Sequence, residues 1–155
     1  MTAVLVTGMS GAGKSSALAE LARRGHEVVD TDYGGWIEDR GEPVWREERI
    51  DELLDRHEEG VLFVAGCVAN QGKFYPRFDA VVLLSAPAEV ILERVAGRDT
   101  NDFGKTAEER ARILSDLQAF EPLLRAGATA EIDTRGPLGE VVDALERIAS
   151  ERIDP

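Results

Sequence analysis

Residues 8–15 read GMSGAGKS and match the spacing G-x-x-x-x-G-K-[S/T] at every position. A short apolar run at residues 3–6 precedes this segment, and a helical pattern beginning at Lys14 follows it. Glycines let the backbone fold closely around an anion, with its N–H groups pointing inward and a helix N-terminus behind them. The segment is therefore predicted to be a phosphate-binding loop that joins a strand to a helix. The predicted phosphate-binding residues are Gly8, Ser10, Gly11, Ala12, Gly13, Lys14, Ser15 and Ser16.

Apolar runs bounded by turn residues alternate with helical patterns along the rest of the chain. This alternation is typical of parallel βαβ units, so we expect an α/β fold of three layers with about five parallel strands. We expect one domain, 1–155, with a short lid at about 98–112 that contains the longest polar stretch. The predicted strands lie at 3–6, from 28 onward, and at 61–65, 80–84 and 131–133, and helices are predicted to begin at Lys14, Trp45, Pro87, Thr106 and Pro137.

The helix that begins at Thr106 has the form of a capping box, because a glutamate stands three residues later at Glu109. Its apolar residues recur at helical spacing, and they are expected to face inward. These residues are Ile113, Leu114, Leu117 and Phe120.

The net charge of −12, from 18 basic and 30 acidic residues, argues against a general affinity for nucleic acid or acidic lipid. No apolar run approaches the roughly 20 residues of a membrane helix, and the single cysteine excludes an internal disulfide. We therefore expect a cytoplasmic protein without nucleic-acid or membrane partners. Half of the net charge, −6, lies in residues 38–59.

Asp30 and Asp32 follow the second predicted strand at positions i and i+2. Ligands bind at the carboxyl ends of the strands in such sheets, and alternate residues of an extended segment point the same way. One carboxylate is a candidate to hold Mg²⁺, and the other to position or deprotonate an attacking hydroxyl. We predict that Ser15 and Asp30 hold the metal and that Asp32 binds the acceptor, with Asp30 and Lys14 as candidate catalytic residues. Lys14 is expected to reach the terminal phosphates of a nucleotide.

With these motifs, the chain resembles the small P-loop kinases of the shikimate, gluconate and nucleotide kinase group. The resemblance is carried by residues 8–15, the Asp30–Asp32 pair, Gly66 after the third strand, an arginine-bearing lid, and the sequence IDT at 132–134 before Pro137. It implies a P-loop NTPase fold with strand order 2-3-1-4-5, ATP and Mg²⁺ as cofactors, and a monomer.

Two departures from that group leave the individual member open. The run of glycines that shikimate kinases carry after the third strand is here GCVAN at residues 66–70. The histidine that gluconate kinases carry after the second strand is absent, because Tyr33 follows Asp32.

The resemblance also implies roles for arginines and for the loop near the base. Kinases bring arginines over the transferred phosphoryl group, where negative charge spreads in the transition state. Arg98 is the candidate catalytic arginine, and it forms the lid set with Arg110 and Arg112. Arg135 and Pro137 lie in the segment that resembles the adenine loop.

Two aromatic residues flank two glycines beside the acid pair, at Tyr33 to Trp36. They suggest flat apolar walls for a small polar acceptor, although Trp36 and Trp45 are equally suited to a core. If the acidic segment 38–59 borders this site, it should disfavour a highly anionic acceptor. The predicted acceptor-binding residues are Asp32, Tyr33, Gly34, Trp36, Gly66 and Cys67.

The motifs favour an ATP-dependent kinase that phosphorylates a hydroxyl of a small metabolite. A nucleoside monophosphate kinase-like enzyme and an ATP-binding regulator without transfer activity remain alternatives. A GTPase is disfavoured, because residues 32–35 match D-x-x-G but no Asn-Lys-x-Asp guanine motif occurs.

Overall fold

The computed structural model describes residues 2–97 and 106–153. No helix in these two ranges is both long and apolar enough to cross a bilayer. In chain order the elements are β1 (Thr2–Thr7), α1 (Lys14–Arg23), β2 (Glu27–Asp30), β3 (Ile37–Asp39), β4 (Pro43–Trp45), α2 (Glu47–Arg56), β5 (Val61–Ala65), a 3₁₀ helix (Gln71–Arg77), β6 (Ala80–Ser85), α3 (Ala88–Ala96), α4 (Ala107–Gly127), β7 (Ala130–Asp133) and α5 (Leu138–Ile153).

The main sheet has five parallel strands in the order β2-β5-β1-β6-β7. When only these five strands are numbered along the chain, the order is 2-3-1-4-5, which confirms the expected fold. Val6 of β1 pairs with Ala65 of β5 and with Val82 of β6. The three central strands therefore end at the same edge, where their following loops meet.

Both faces of the sheet are covered, because alternate residues of β1 point to opposite sides. Val4 and Val6 belong to a buried cluster with α1 and α5. Ala3 and Leu5 belong to a second cluster with α2 and the 3₁₀ helix. This arrangement gives the three expected layers.

Trp45 ends a short antiparallel hairpin, β3–β4, so the prediction that it begins a helix is wrong. Its side chain is fully buried, and its Nε1 donates to Thr31 Oγ1 at 2.9 Å. Asn70 holds the Trp45 backbone from both sides, accepting from its N–H at 2.8 Å and donating to its carbonyl at 3.0 Å. These contacts come from distant parts of the chain and override the local helical pattern, so α2 begins at Glu47.

The capping box of α4 is confirmed, since Thr106 Oγ1 accepts from Glu109 N and the Glu109 carboxylate accepts from Thr106 N. Ile113 is buried against α3, as predicted. Leu114 and Phe120, however, are 36% and 50% exposed, so their predicted inward positions are wrong. The packing surface offered by α3 covers only a narrow stripe of the longer α4.

Candidate phosphate and acceptor site

The predicted phosphate loop lies between β1 and α1 and packs against α3. Gly11 has a φ of +86°, and a Cβ there would come within 2.9 Å of a Val95 methyl group. Gly13, at φ +104°, immediately precedes α1. Ala12 and Gly8 of the loop are buried. The glycines thus provide the turn geometry and also the space for close packing.

Lys14 lies over the loop, where its Nζ donates to the carbonyls of Gly8 at 2.5 Å and Met9 at 3.3 Å. Ser15 Oγ donates to Asp30 Oδ2 at 2.8 Å. The structure therefore brings together the two groups that the sequence assigned to a metal.

The donor set around Ser15 and Asp30 fits Mg²⁺, which typically takes one or two carboxylates, substrate phosphates and several waters. In the described parts of the chain, no group of three or more His, Cys, Asp or Glu side chains is arranged to hold a metal ion. The pair would therefore need further ligands, such as phosphate oxygens and waters, to complete a Mg²⁺ site.

Asp32 lies beside the same loop, and its backbone N–H donates to Asp30 Oδ1 at 3.2 Å. Burial raises the pKa of the Asp32 carboxyl above its ordinary value; the charge of Asp30 adds to this effect, whereas Lys14 opposes it. Asp32 and the phosphate loop border a common cleft of about 680 Å³. The cleft is lined by Met9, Ser10, Gly11, Gly13, Lys14, Ser15, Ser16, Asp32, Cys67 and Arg94.

Arg94 braces the phosphate loop, a role that sequence reasoning missed. Its Nη1 lies 3.3 Å from the Gly11 carbonyl and donates to Thr134 Oγ1 at 2.9 Å, while its Nη2 donates to the Thr134 carbonyl at 2.5 Å. The Thr134 hydroxyl also contacts the Ala12 carbonyl at 2.8 Å. One signal was available, because Arg94 stands three residues after the buried Ile91 and therefore on the inward side of α3.

A smaller cavity of about 240 Å³ adjoins the loop, lined by Gly13, Ser16, Arg94, Thr134, Gly136, Leu138 and Val141. The predicted adenine-loop residues Arg135 and Pro137 are not among its lining residues. Arg135 is exposed and forms an ion pair with Asp133 at 2.8 Å. The assignment of Arg135 and Pro137 to the base stays a prediction.

On the acceptor side, Tyr33 is 70% exposed, whereas Trp36 is half-buried against the second core cluster. The Arg49 guanidinium lies 4.2 Å from the Trp36 ring centroid. It also donates to the carbonyls of Gly34 at 2.8 Å and Gly35 at 2.7 Å. These contacts hold the two-glycine turn and the aromatic wall in one arrangement.

Gly66 and Cys67, also predicted on the acceptor side, have different environments. Gly66 is buried, and a Cβ there would come within 2.7 Å of Thr31 Oγ1 and of the Trp45 ring. Cys67 is exposed and lines the cleft beside Asp32. Gly66 thus has a clear packing reason to be glycine, and Cys67 offers a thiol next to the phosphate loop.

The predicted lid is described only in part. Arg98 lies outside the described residues, as does the segment 98–105. Arg110 and Arg112 are exposed on the first turns of α4 and do not line the cleft. Their assignment as lid arginines stays a prediction.

Comparison with known proteins places this geometry in a family. A family model described as an AAA domain matches residues 4–115, whereas no curated protein matches the sequence. A shikimate kinase from Acinetobacter baumannii, solved with shikimate, is similar with a TM-score of 0.69 at 18% identity, over 100% of this chain and 96% of that one.

Two further solved structures have the same fold at low identity. A sugar kinase from Janibacter sp. HTCC2649, unliganded, matches with a TM-score of 0.61 at 21% identity, over 98% of each chain. A gluconokinase from Sinorhizobium meliloti 1021 matches with a TM-score of 0.58 at 21% identity, over 97% of this chain and 94% of that one. The chain therefore belongs to the AAA domain family and has the fold of the small P-loop kinases.

Proposed function

We propose that the protein is an ATP-dependent kinase that transfers the γ-phosphoryl group to a hydroxyl of a small polar metabolite. The observation that carries this proposal is the shared cleft: a complete phosphate loop with Lys14 borders it, and Asp32 lines it as well. A phosphate site alone would suit any nucleotide-binding protein. A carboxylate in the same cleft adds a group that can bind an acceptor hydroxyl and take its proton.

The roles follow from the contacts. The loop N–H groups and Lys14 bind and neutralise the phosphates, and Ser15 with Asp30 would hold Mg²⁺, whose charge lowers the repulsion between the phosphates and an incoming oxygen. Asp32 positions the acceptor hydroxyl. Its raised pKa makes its carboxylate a better proton acceptor than an ordinary aspartate.

The test is ADP formation with ATP, Mg²⁺ and a panel of hydroxylated metabolites, followed by mass spectrometry of the phosphorylated product. Lys14→Met should abolish ADP formation, and Asp32→Asn should abolish transfer while ATP binding persists. Lys73→Met is the matched control for ATP binding, because this lysine is exposed and pairs with Glu47 at 3.1 Å.

A folded wild-type protein that does not bind ATP would contradict the proposal. ATP binding without a phosphorylated product across the panel would instead favour a nucleotide-binding regulator.

A further inference from the structure

Gln71 is a buried amide that the proposed chemistry does not use. Its side chain belongs to the first residue of the 3₁₀ helix, and the residue is only 3% exposed. Its Nε2 donates to Thr7 Oγ1 and to the Tyr75 hydroxyl, each at 3.0 Å. Its Oε1 accepts from the backbone N–H of Val68 at 3.0 Å. The hydrogen-bonding partners of this amide thus lie on three different segments.

The partners also fix the orientation of the amide. The Val68 N–H can only donate, so the amide oxygen must face it and the NH₂ group must face the two hydroxyls. Both amide hydrogens and the oxygen are then satisfied, which suits a buried polar group. The side chain therefore holds a definite position in the core.

These bonds close the segment 66–71 into a loop whose two ends meet the end of β1. At one end, the Gly66 N–H donates to the Val6 carbonyl at 3.2 Å. At the other end, Gln71 reaches Thr7, the residue directly before the phosphate loop. Cys67 lies between these ends and lines the phosphate cleft.

We propose that Gln71 is a positioning residue that sets the distance between the phosphate loop and the acceptor-side segment 66–70. It touches no substrate. It acts by tying the Val68 backbone to Thr7, so that the segment 66–70 stays at a fixed distance from the bound phosphates. This role rests on the proposed kinase function, because only group transfer between two bound molecules requires a fixed distance between their sites.

The direct test compares Gln71→Leu with wild type by hydrogen exchange and by thiol alkylation. Exchange of the amides in 66–70 should become at least about tenfold faster, because Val68 loses its acceptor. Cys67 is the single cysteine of the chain, so its alkylation by iodoacetamide reports on the cleft alone. A non-hydrolysable Mg–ATP analogue should slow alkylation of the wild type.

In Gln71→Leu, the analogue should bind within about threefold of the wild-type affinity. Its protection of Cys67, meaning the factor by which it slows alkylation, should nevertheless fall about tenfold. With any acceptor found in the panel, kcat should fall while KM for ATP stays within the same threefold range. Gln118→Leu is the matched control, because this glutamine is exposed on α4.

Thr7→Val breaks the same link from the other side and should reproduce the loss, which keeps the test valid if Gln71→Leu does not fold. Wild-type affinity together with wild-type protection in a folded Gln71→Leu or Thr7→Val protein would overturn the positioning role alone. A wild-type protein that binds no ATP analogue would overturn the kinase proposal and with it this role.

Discussion

Replacing Gly66 by alanine tests whether this residue serves packing or the acceptor. A Cβ there would lie 2.7 Å from Thr31 Oγ1 and 2.7 Å from Trp45 Cζ2. Neither neighbour can retreat easily, because Trp45 is fully buried and Asn70 bonds its backbone on both sides. The added methyl group must therefore displace the ring or the end of β5.

The expected cost has two parts. Overpacking a filled core costs about 1–3 kcal/mol, and losing the 2.9 Å bond from Trp45 Nε1 to Thr31 adds about 1 kcal/mol. Together they predict a loss of about 2–4 kcal/mol in the free energy of unfolding for Gly66→Ala. For a chain of this size, the thermal midpoint should fall by about 5–15 °C.

Urea unfolding followed by circular dichroism measures this loss, with Gly72→Ala as the matched control. Gly72 lies nearby in the 3₁₀ helix, and a Cβ there would meet nothing within 4 Å. The control should stay within about 0.5 kcal/mol of wild type. If Gly66→Ala is as stable as the control, the packing argument is refuted. If it is also inactive, Gly66 serves the acceptor site.

Three further outcomes are expected. Asp32→Asn should raise the urea midpoint at pH 7, because the folded protein raises the pKa of this carboxyl and so disfavours its ionised form. The gain in the midpoint should vanish below about pH 4, where the carboxyl is protonated in both states. A lowered midpoint at pH 7 would contradict this reasoning. Hydrogen bonds from neighbouring arginines lower the pKa of Glu20 from 4.5 to about 2, so the stability they give is complete above pH 4.5 and is lost as the pH falls towards 2. Glu20→Gln should remove that acid dependence in urea titrations, and parallel wild-type and variant curves would argue against it. Arg94→Met should weaken ATP binding about 10- to 100-fold in calorimetry, because the loop carbonyls and Thr134 lose their hydrogen-bond donor. An unchanged affinity would show that Arg94 is not needed to hold the loop.

The parts of the fold that sequence predicts well depend on local patterns. The spacing of residues 8–15 fixes the glycine turns, and the capping-box spacing of Thr106 and Glu109 correctly locates the start of α4. The strand order does not follow from local patterns. It is implied by the family resemblance, since alternation of strands and helices does not by itself choose an order.

The parts that sequence misses depend on contacts between distant residues. Trp45 fits a helical pattern, but Thr31 and Asn70 draw it into the core as the end of a hairpin. The spacing from Ile91 puts Arg94 on the inward side of α3, but its contact with the phosphate loop depends on how α3 docks on Gly11. In each case the deciding partner is more than ten residues away.

The acidic segment 38–59 shows the same effect for charge. Its count of −6 suggested a face that repels an anionic acceptor. In the structure, two basic side chains from outside the segment form ion pairs with it. Arg77 pairs with Asp51 at 2.8 Å and with Asp55 at 2.5 Å. Lys73 pairs with Glu47 at 3.1 Å. Exposed pairs of this kind add little stability, but each one cancels much of the local field. The segment count therefore overstates the repulsion, so the panel of acceptors must include hydroxyl compounds that carry a carboxylate or a phosphate beside neutral ones.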